Sequence, residues 1–176
     1  SNANDNNQNI DYPNLDQAID NSYGKYSKAV LKRSLYDNYV RAFKWATDRV
    51  AENGVIGFVS NNSFIDSQSM DGLRKAWFDE FNYIYIINLR GDQRTQGELS
   101  RREGGKIFGS GSRTGIAITL LIKDGSEDHV IKYMNVDDFL SREQKLALLN
   151  EKKSLLNLNF KNVIPDKNND WINQRD

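Results

Sequence analysis

Val55-Ile56-Gly57-Phe58-Val59-Ser60 and Tyr83-Ile84-Tyr85-Ile86-Ile87-Asn88-Leu89 are the stretches whose reading decides the fold. Both are short, rich in β-branched and aromatic residues and bounded by turn residues, which predicts buried strands. Between them Met70, Leu73, Trp77 and Phe81 recur every three to four residues, predicting a helix over about 69–81 with Ser67 or Ser69 as N-cap. Strand, helix and strand joined by short connections make a βαβ unit, so the two strands are expected to run parallel. Ile116-Ala117-Ile118-Thr119-Leu120-Leu121-Ile122 predicts a third buried strand and residues 129–136 a fourth, across a turn at Asp124-Gly125. Upstream, Leu31, Leu35, Tyr39, Phe43, Ala46 and Val50 predict one buried helical face over 28–53, closed by Gly54. A last helix is expected at about 141–150, capped by Ser141 with Glu143 and Gln144 in its first turn. The class is α/β.

The ends read differently. Ser1-Asn2-Ala3 looks like a tag scar. Residues 4–27 are rich in Asn, Asp and Gln and show almost no apolar periodicity, which predicts an extended arm. The tail beyond 151 is rich in Asn and Lys and reads as a linker.

Composition excludes several chemistries. The 176 residues suit one domain. With no cysteine there is no thiol catalysis, disulfide framework or zinc finger. The one histidine, His129, cannot form a metal triad and sits beside Glu127-Asp128, a solvated turn. Asp37, Asp48, Asp71, Asp79 and Glu80 read as solvated helix surface, and Trp45 and Trp77 as packing residues. No metal site is expected. No apolar run approaches the roughly 18 residues of a membrane span, and the absence of cysteine and of an export signal points to the cytoplasm. The 24 basic and 24 acidic side chains cancel, so a uniformly basic surface is excluded while a local basic patch is not.

Such a patch lies in the connection 91–114. Seven of the 12 glycines fall in 91–115, and six Lys or Arg face three acidic residues between Arg90 and Arg113. Connections of this length are functional or disordered. Gly104 to Gly111 resembles a phosphate-binding loop, but it lacks the Lys-Ser/Thr ending and the third glycine of a dinucleotide loop. It also opens a strand, whereas phosphate loops open helices. Nucleic-acid contact fits better: Arg94, Arg101, Arg102, Lys106 and Arg113 suit phosphates, and Phe108 suits base stacking. The plainer alternative is a surface loop anchored by Ile107 and Phe108. Ser60-Asn61-Asn62-Ser63 leaves the first strand at the same carboxyl edge, where ligands of parallel α/β sheets bind. Its plainer reading is a turn with side-chain capping.

Two stretches resemble a known family. Residues 35–46, Leu-Tyr-Asp-Asn-Tyr-Val-Arg-Ala-Phe-Lys-Trp-Ala, with 54–61, Gly-Val-Ile-Gly-Phe-Val-Ser-Asn, look like the later half of an amino-methyltransferase domain. Residues 88–114, Asn-Leu-Arg-Gly-Asp-Gln-Arg-Thr-Gln-Gly-Glu-Leu-Ser-Arg-Arg-Glu-Gly-Gly-Lys-Ile-Phe-Gly-Ser-Gly-Ser-Arg-Thr, are similar to type ISP restriction–modification enzymes, which join a nuclease, a helicase-like motor, an adenine-N6 methyltransferase and a target-recognition domain. The resemblance implies a partial class I methyltransferase sheet, Rossmann-like with flanking helices, second half only. Residues 28–140 would be that half and 141–176 a helix and linker towards target recognition. It further implies that the third strand lies antiparallel between the first two, leaving an outer edge for strand 129–136.

By the same resemblance the parent enzyme uses S-adenosylmethionine and flips its target adenine out of DNA. Phe108 would stack on the base, and Asn61, Asn62 and Ser63 would wall its pocket. The cofactor loop and the Asn-Pro-Pro-Tyr motif are absent here, since Pro13 and Pro165 are the only prolines. The isolated segment is therefore expected to be inactive, to bind no cofactor, and to partner DNA and the missing half of its domain. Strand 55–60, lacking that half, is expected to self-associate or to be covered by the arm. The alternatives are a non-catalytic DNA-contacting module and a structural interaction domain.

Overall fold

The computed structural model describes residues 12–109 and 111–175. Five strands form one open sheet in the order β1-β3-β2-β4-β5: β1 (Asn53–Asn61), β2 (Tyr83–Arg90), β3 (Ile116–Asp124), β4 (Val130–Asn135) and β5 (Lys161–Val163). Five α-helices flank it: α1 (Pro13–Ile19), α2 (Asn38–Thr47), α3 (Asp71–Glu80), α4 (Gly97–Glu103) and α5 (Arg142–Lys152). The architecture is that of a Rossmann-like fragment.

β3 pairs antiparallel with both β1 and β2, so those two are parallel to each other without touching. No hairpin forms across Asp124-Gly125. Asn82 blocks it by accepting from Asp124 N–H at 2.9 Å while donating to the carbonyls of Ser126 and Asp128 at 2.7 and 3.1 Å. The chain is thereby carried to the far side of β2, where β4 pairs in parallel, the outer position that the resemblance leaves open.

The main core lies between one sheet face and α2 and α3. Met70, Leu73, Trp77 and Phe81 are all buried, as their spacing predicts. Phe43 sits at the centre, edge-on to Phe58, Phe64 and Trp77 with centroids 4.8, 5.4 and 4.9 Å away. Edge-to-face contacts of this kind add about 0.5–1.5 kcal/mol each to simple burial. A smaller core on the opposite face gathers Ile87, Leu89, Ile107, Ile116 and Val136. α5 begins at Ser141 with a complete capping box through Gln144.

Several expectations are corrected. The arm is not extended where it is described: Pro13 opens α1, a π-helical stretch follows to Gly24, and Ile19 and Tyr23 are fully buried. Its stripe is Leu15, Ile19 and Tyr23, a single apolar residue per turn, too sparse to stand out among polar neighbours. The tag scar and residues 4–11 lie outside the described residues. The helix expected over 28–53 is shorter: a 3₁₀ turn (Arg33–Tyr36) precedes α2, which ends at Thr47. Leu31 therefore stays exposed, and Trp45 packs under Arg49, 4.3 Å from its ring, instead of entering the core. Asp71 is buried, accepting from Ser27 Oγ at 2.6 Å and from Lys28 N–H at 2.8 Å.

β1 is covered on one face only. Val55 and Val59 are exposed on the other, and among the described residues its outer edge has no partner strand. The tail is not a loose linker. Phe160 packs edge-on against Tyr85, and Asp170 and Trp171 are buried.

Candidate nucleic-acid interface

The carboxyl ends of β1 and β2 open at one edge of the sheet, where β3 begins. Asn61 Oδ1 accepts from Ser63 N–H at 2.8 Å, a side-chain-capped turn. Asn62 ties the strand ends together: its backbone N–H donates to Gly115 O at 3.0 Å and its amide to Asn88 Oδ1 at 2.9 Å. A Cβ on Gly115 would come within 2.4 Å of that amide, so any larger residue there would push it off Asn88. Asn62 is therefore committed to the scaffold, and the wall of any pocket falls to Asn61 and Ser63.

β2 leaves through Arg90 and Gly91, both at positive φ. Arg90 is held by Glu103 and Asp138, which brings the base of the loop back to the sheet. Arg94 chelates Asp92 and reaches Ser63 Oγ at 3.3 Å, joining the two strand exits. Burial pushes the Asp92 carboxyl up, but the hydrogen bonds and charge of Arg94 outweigh it and hold the group below the usual carboxylate range. Arg113 donates to Gln93 O at 3.0 Å. Of the five predicted cations, Arg94 and Arg113 thus already have partners in place. Arg101 and Arg102 lie on the exposed surface of α4, a helix that the glycine content concealed, with Glu98 between them. Lys106 is exposed and makes no ion pair among the described residues. Ile107 is buried while Phe108 next to it is 51% exposed. One residue thus anchors the loop and the other is offered to solvent.

Sequence reasoning missed what stiffens this loop. Gly104 and Gly105 run against the backbone of residues 140–142 so closely that a Cβ would meet it at 2.2 and 2.4 Å. Lys145, fully buried on α5, donates to the carbonyls of Glu103 and Gly105, each at 2.7 Å. Burial pulls its pKa down to about 8, against the opposing pull of the Glu103 carboxylate. The folded pKa lies below the unfolded one, so the cost of burying the charge is fully felt below pH 8. It fades as pH rises through about 8 towards 10.5, because the neutral amine still has two hydrogens for the two carbonyls. Wild type will therefore gain stability relative to Lys145→Met between pH 7 and 10 in urea titrations. A pH-independent difference would refute this origin.

A cleft of about 770 Å³ adjoins the strand exits. Asn61, Ser63 and Arg94 line one part of it, and segments 29–34 and 67–70 line the rest. Tyr39 also lines it, and its hydroxyl is buried without a hydrogen-bond partner. Burial and the Asp37 charge both push that phenol's pKa up, while Arg94 opposes them. Periodicity identified Tyr39 as a core position, but nothing local signalled that its hydroxyl would be stranded beside a cleft.

The described residues contain no cluster of three or more metal-ligating side chains. No helix among them is long and apolar enough to cross a membrane. β1 reaches α3 through residues 62–70, two 3₁₀ turns without a glycine, and the glycines of 104–115 lead into a strand.

A Rossmann-like α/β fragment thus carries, at the carboxyl edge of its sheet, a stiffened loop bearing several Arg and Lys beside a cleft of mixed polar and apolar lining. Comparison with solved structures is specific. The whole chain matches a nuclease-deletion mutant of the type ISP restriction–modification enzyme LlaGI in complex with a DNA substrate mimic, with TM-score 0.95 and 60% identity over 100% of this chain and 14% of that one. It likewise matches the ATP-dependent type ISP restriction–modification enzyme LlaBIII bound to DNA, with TM-score 0.91 and 40% identity over 100% of this chain and 12% of that one. A DrdV–DNA complex gives TM-score 0.91 and 39% identity over 100% of this chain and 17% of that one. The chain thus spans less than a fifth of the length of each of these three proteins. No protein-family model and no curated protein matches it.

Proposed function

We propose that this chain is the C-terminal half of the DNA methyltransferase domain of a type ISP restriction–modification enzyme. Its carboxyl-edge loops would supply part of the target-base pocket and a DNA-contacting surface. The observation that carries this is the full-length match, at 60% identity, to an enzyme of that type held with a DNA mimic. The adenine-N6 assignment rests on the resemblance of the segment that leads into β3.

In this reading Phe108, exposed on a loop that Ile107 and Lys145 hold still, stacks on a base flipped out of the duplex. Asn61 and Ser63 border its pocket. Arg101, Arg102 and Lys106 meet phosphates, while Arg94 and Arg113 shape the mouth. None of these groups transfers a proton. The exocyclic amine is oriented, and S-adenosylmethionine held, by residues outside this chain. The free edge of β1 is where the other half of the sheet pairs, and in the isolated chain it is the surface for self-association.

The test is methyl transfer by the full-length protein to adenine-containing duplex DNA, read as N6-methyladenine by mass spectrometry. The isolated 176-residue chain is expected to give none. A full-length protein that binds DNA but methylates none would favour the non-catalytic DNA-contacting module.

A further inference from the structure

The segment from Asn21 to Tyr36 carries Lys25, Lys28, Lys32 and Arg33 and no acidic residue. None of the four cations has an ion-pair partner among the described residues. Lys28 and Lys32 donate only to carbonyls, Lys167 O at 2.9 Å and Gly24 O at 2.8 Å, which leaves their charge uncompensated. Between these cations stand Val30 and Leu31, 96% and 81% exposed. Each forgoes the roughly 1.5–3 kcal/mol that burying such a side chain supplies, so neither serves the packing described above.

The segment is nevertheless held at both ends. Buried Asp71 receives Ser27 Oγ and Lys28 N–H. Gly72 packs so tightly beside it that a Cβ would lie 1.9 Å from Tyr23 O. On the far side Leu35 is fully buried, and Ser34 Oγ donates to Ser69 Oγ at 2.6 Å. Two branched apolar side chains are thus presented at the bend of a tethered loop. That loop lines the same cleft as Asn61, Ser63 and Arg94; Asp37 is the one carboxylate lining it.

Apolar residues flanked by cations are how proteins enter a base stack: the wedge replaces lost stacking and the cations hold the adjoining phosphates. We propose that Val30 and Leu31 form an apolar wedge that enters duplex DNA beside the flipped base, with Lys25, Lys28, Lys32 and Arg33 on the flanking phosphates. The proposal rests on the DNA-acting reading above and adds a contact surface to it. The cations select DNA over a second protein surface as the occupant, because an apolar protein contact would leave all four charges without partners.

The experiment uses the full-length protein and fluorescence anisotropy on two short duplexes, one fully paired and one with a central abasic site. The abasic duplex has already lost the stacking that a wedge must disrupt. Wild type is expected to prefer it. Val30→Ser/Leu31→Ser is expected to lose that preference and about tenfold in affinity at an unchanged melting temperature. Lys32→Ala/Arg33→Ala is expected to weaken binding to both duplexes and to reduce the log–log salt slope by about two. Unchanged affinity and preference in Val30→Ser/Leu31→Ser would overturn the wedge. So would a lower melting temperature with DNA binding intact, which would mean that another part of the protein covers these side chains. Arg101→Ala/Arg102→Ala separates the two levels. If it weakens binding while the wedge variant does not, the DNA-acting reading stands and the wedge falls. If wild type binds neither duplex, the underlying reading falls with it.

Discussion

Arg74→Ala is expected to destabilise the protein by about 3–5 kcal/mol, the cost of breaking a buried ion pair by removing one partner. Arg74 is completely buried on α3 and its guanidinium serves four groups. It donates through Nε to Asn169 O at 2.7 Å, through Nη1 to Phe64 O and Ser67 O at 3.1 and 2.8 Å, and through Nη2 to Asp170 Oδ1 at 2.7 Å. It thus pins the tail to α3 and to the turn after β1. Truncation leaves three carbonyls unsatisfied, opens a cavity and removes one of the two cations on buried Asp170, the other being Arg175. For a chain of this size the melting temperature will fall by on the order of 10 °C. Arg74→Lys will not restore it, because an ammonium cannot span four acceptors in a plane. Thermal unfolding followed by circular dichroism decides the matter, and a loss below about 1 kcal/mol would show that the tail docks independently. Segment 67–70 lines the cleft, so the variant is also expected to weaken DNA binding.

Phe108→Ala is expected to have the largest effect on activity with almost none on stability. The ring is exposed and has no aromatic neighbour among the described residues, so its removal will change folding by no more than about 0.5 kcal/mol. Stacking on an extruded base supplies about 1–3 kcal/mol, so methyl transfer by the full-length protein will fall by roughly 5- to 150-fold. Phe108→Trp will retain most of it, since either ring offers a π-face. Asn62→Ala provides the contrast: it cuts the tie between strand ends and lowers stability first. Equal rates for Phe108→Ala and wild type would remove the stacking role and leave Phe108 as an unremarkable loop residue.

Much of the fold was legible because periodicity reports which face of an element is buried. β2, β3 and α3 were readable for that reason: several apolar residues per element repeat at one period, and the core they build is the one observed. Ser141 and Gln144 were readable because a capping box is a contact three residues long. The arm was not, because α1 exposes most of its surface and keeps one apolar residue per turn. The split of helix 28–53 was hidden for a related reason. Leu31, Leu35 and Tyr39 hold helical spacing, yet Leu31 lies on the tethered loop while Leu35 and Tyr39 reach the core.

The site divides along the same line. The residue types at the carboxyl edge follow from composition and from the βαβ unit, but that Ile107 anchors the loop while Phe108 stays exposed was decided by the structure. Which cations already have partners does not follow from composition either. Arg94 with Asp92 is local, but Arg74 with Asp170 spans 96 residues and Lys145 with Glu103 O spans 42. The cleft is built from segments that meet only after folding. The sequence by itself determined the class of fold and the elements of its central sheet, because these depend on hydrophobic pattern and chain direction. Only the tertiary structure decided the docking of arm and tail and which polar groups are committed to the scaffold. Each of those depends on hydrogen bonds and charges between residues that no local pattern connects.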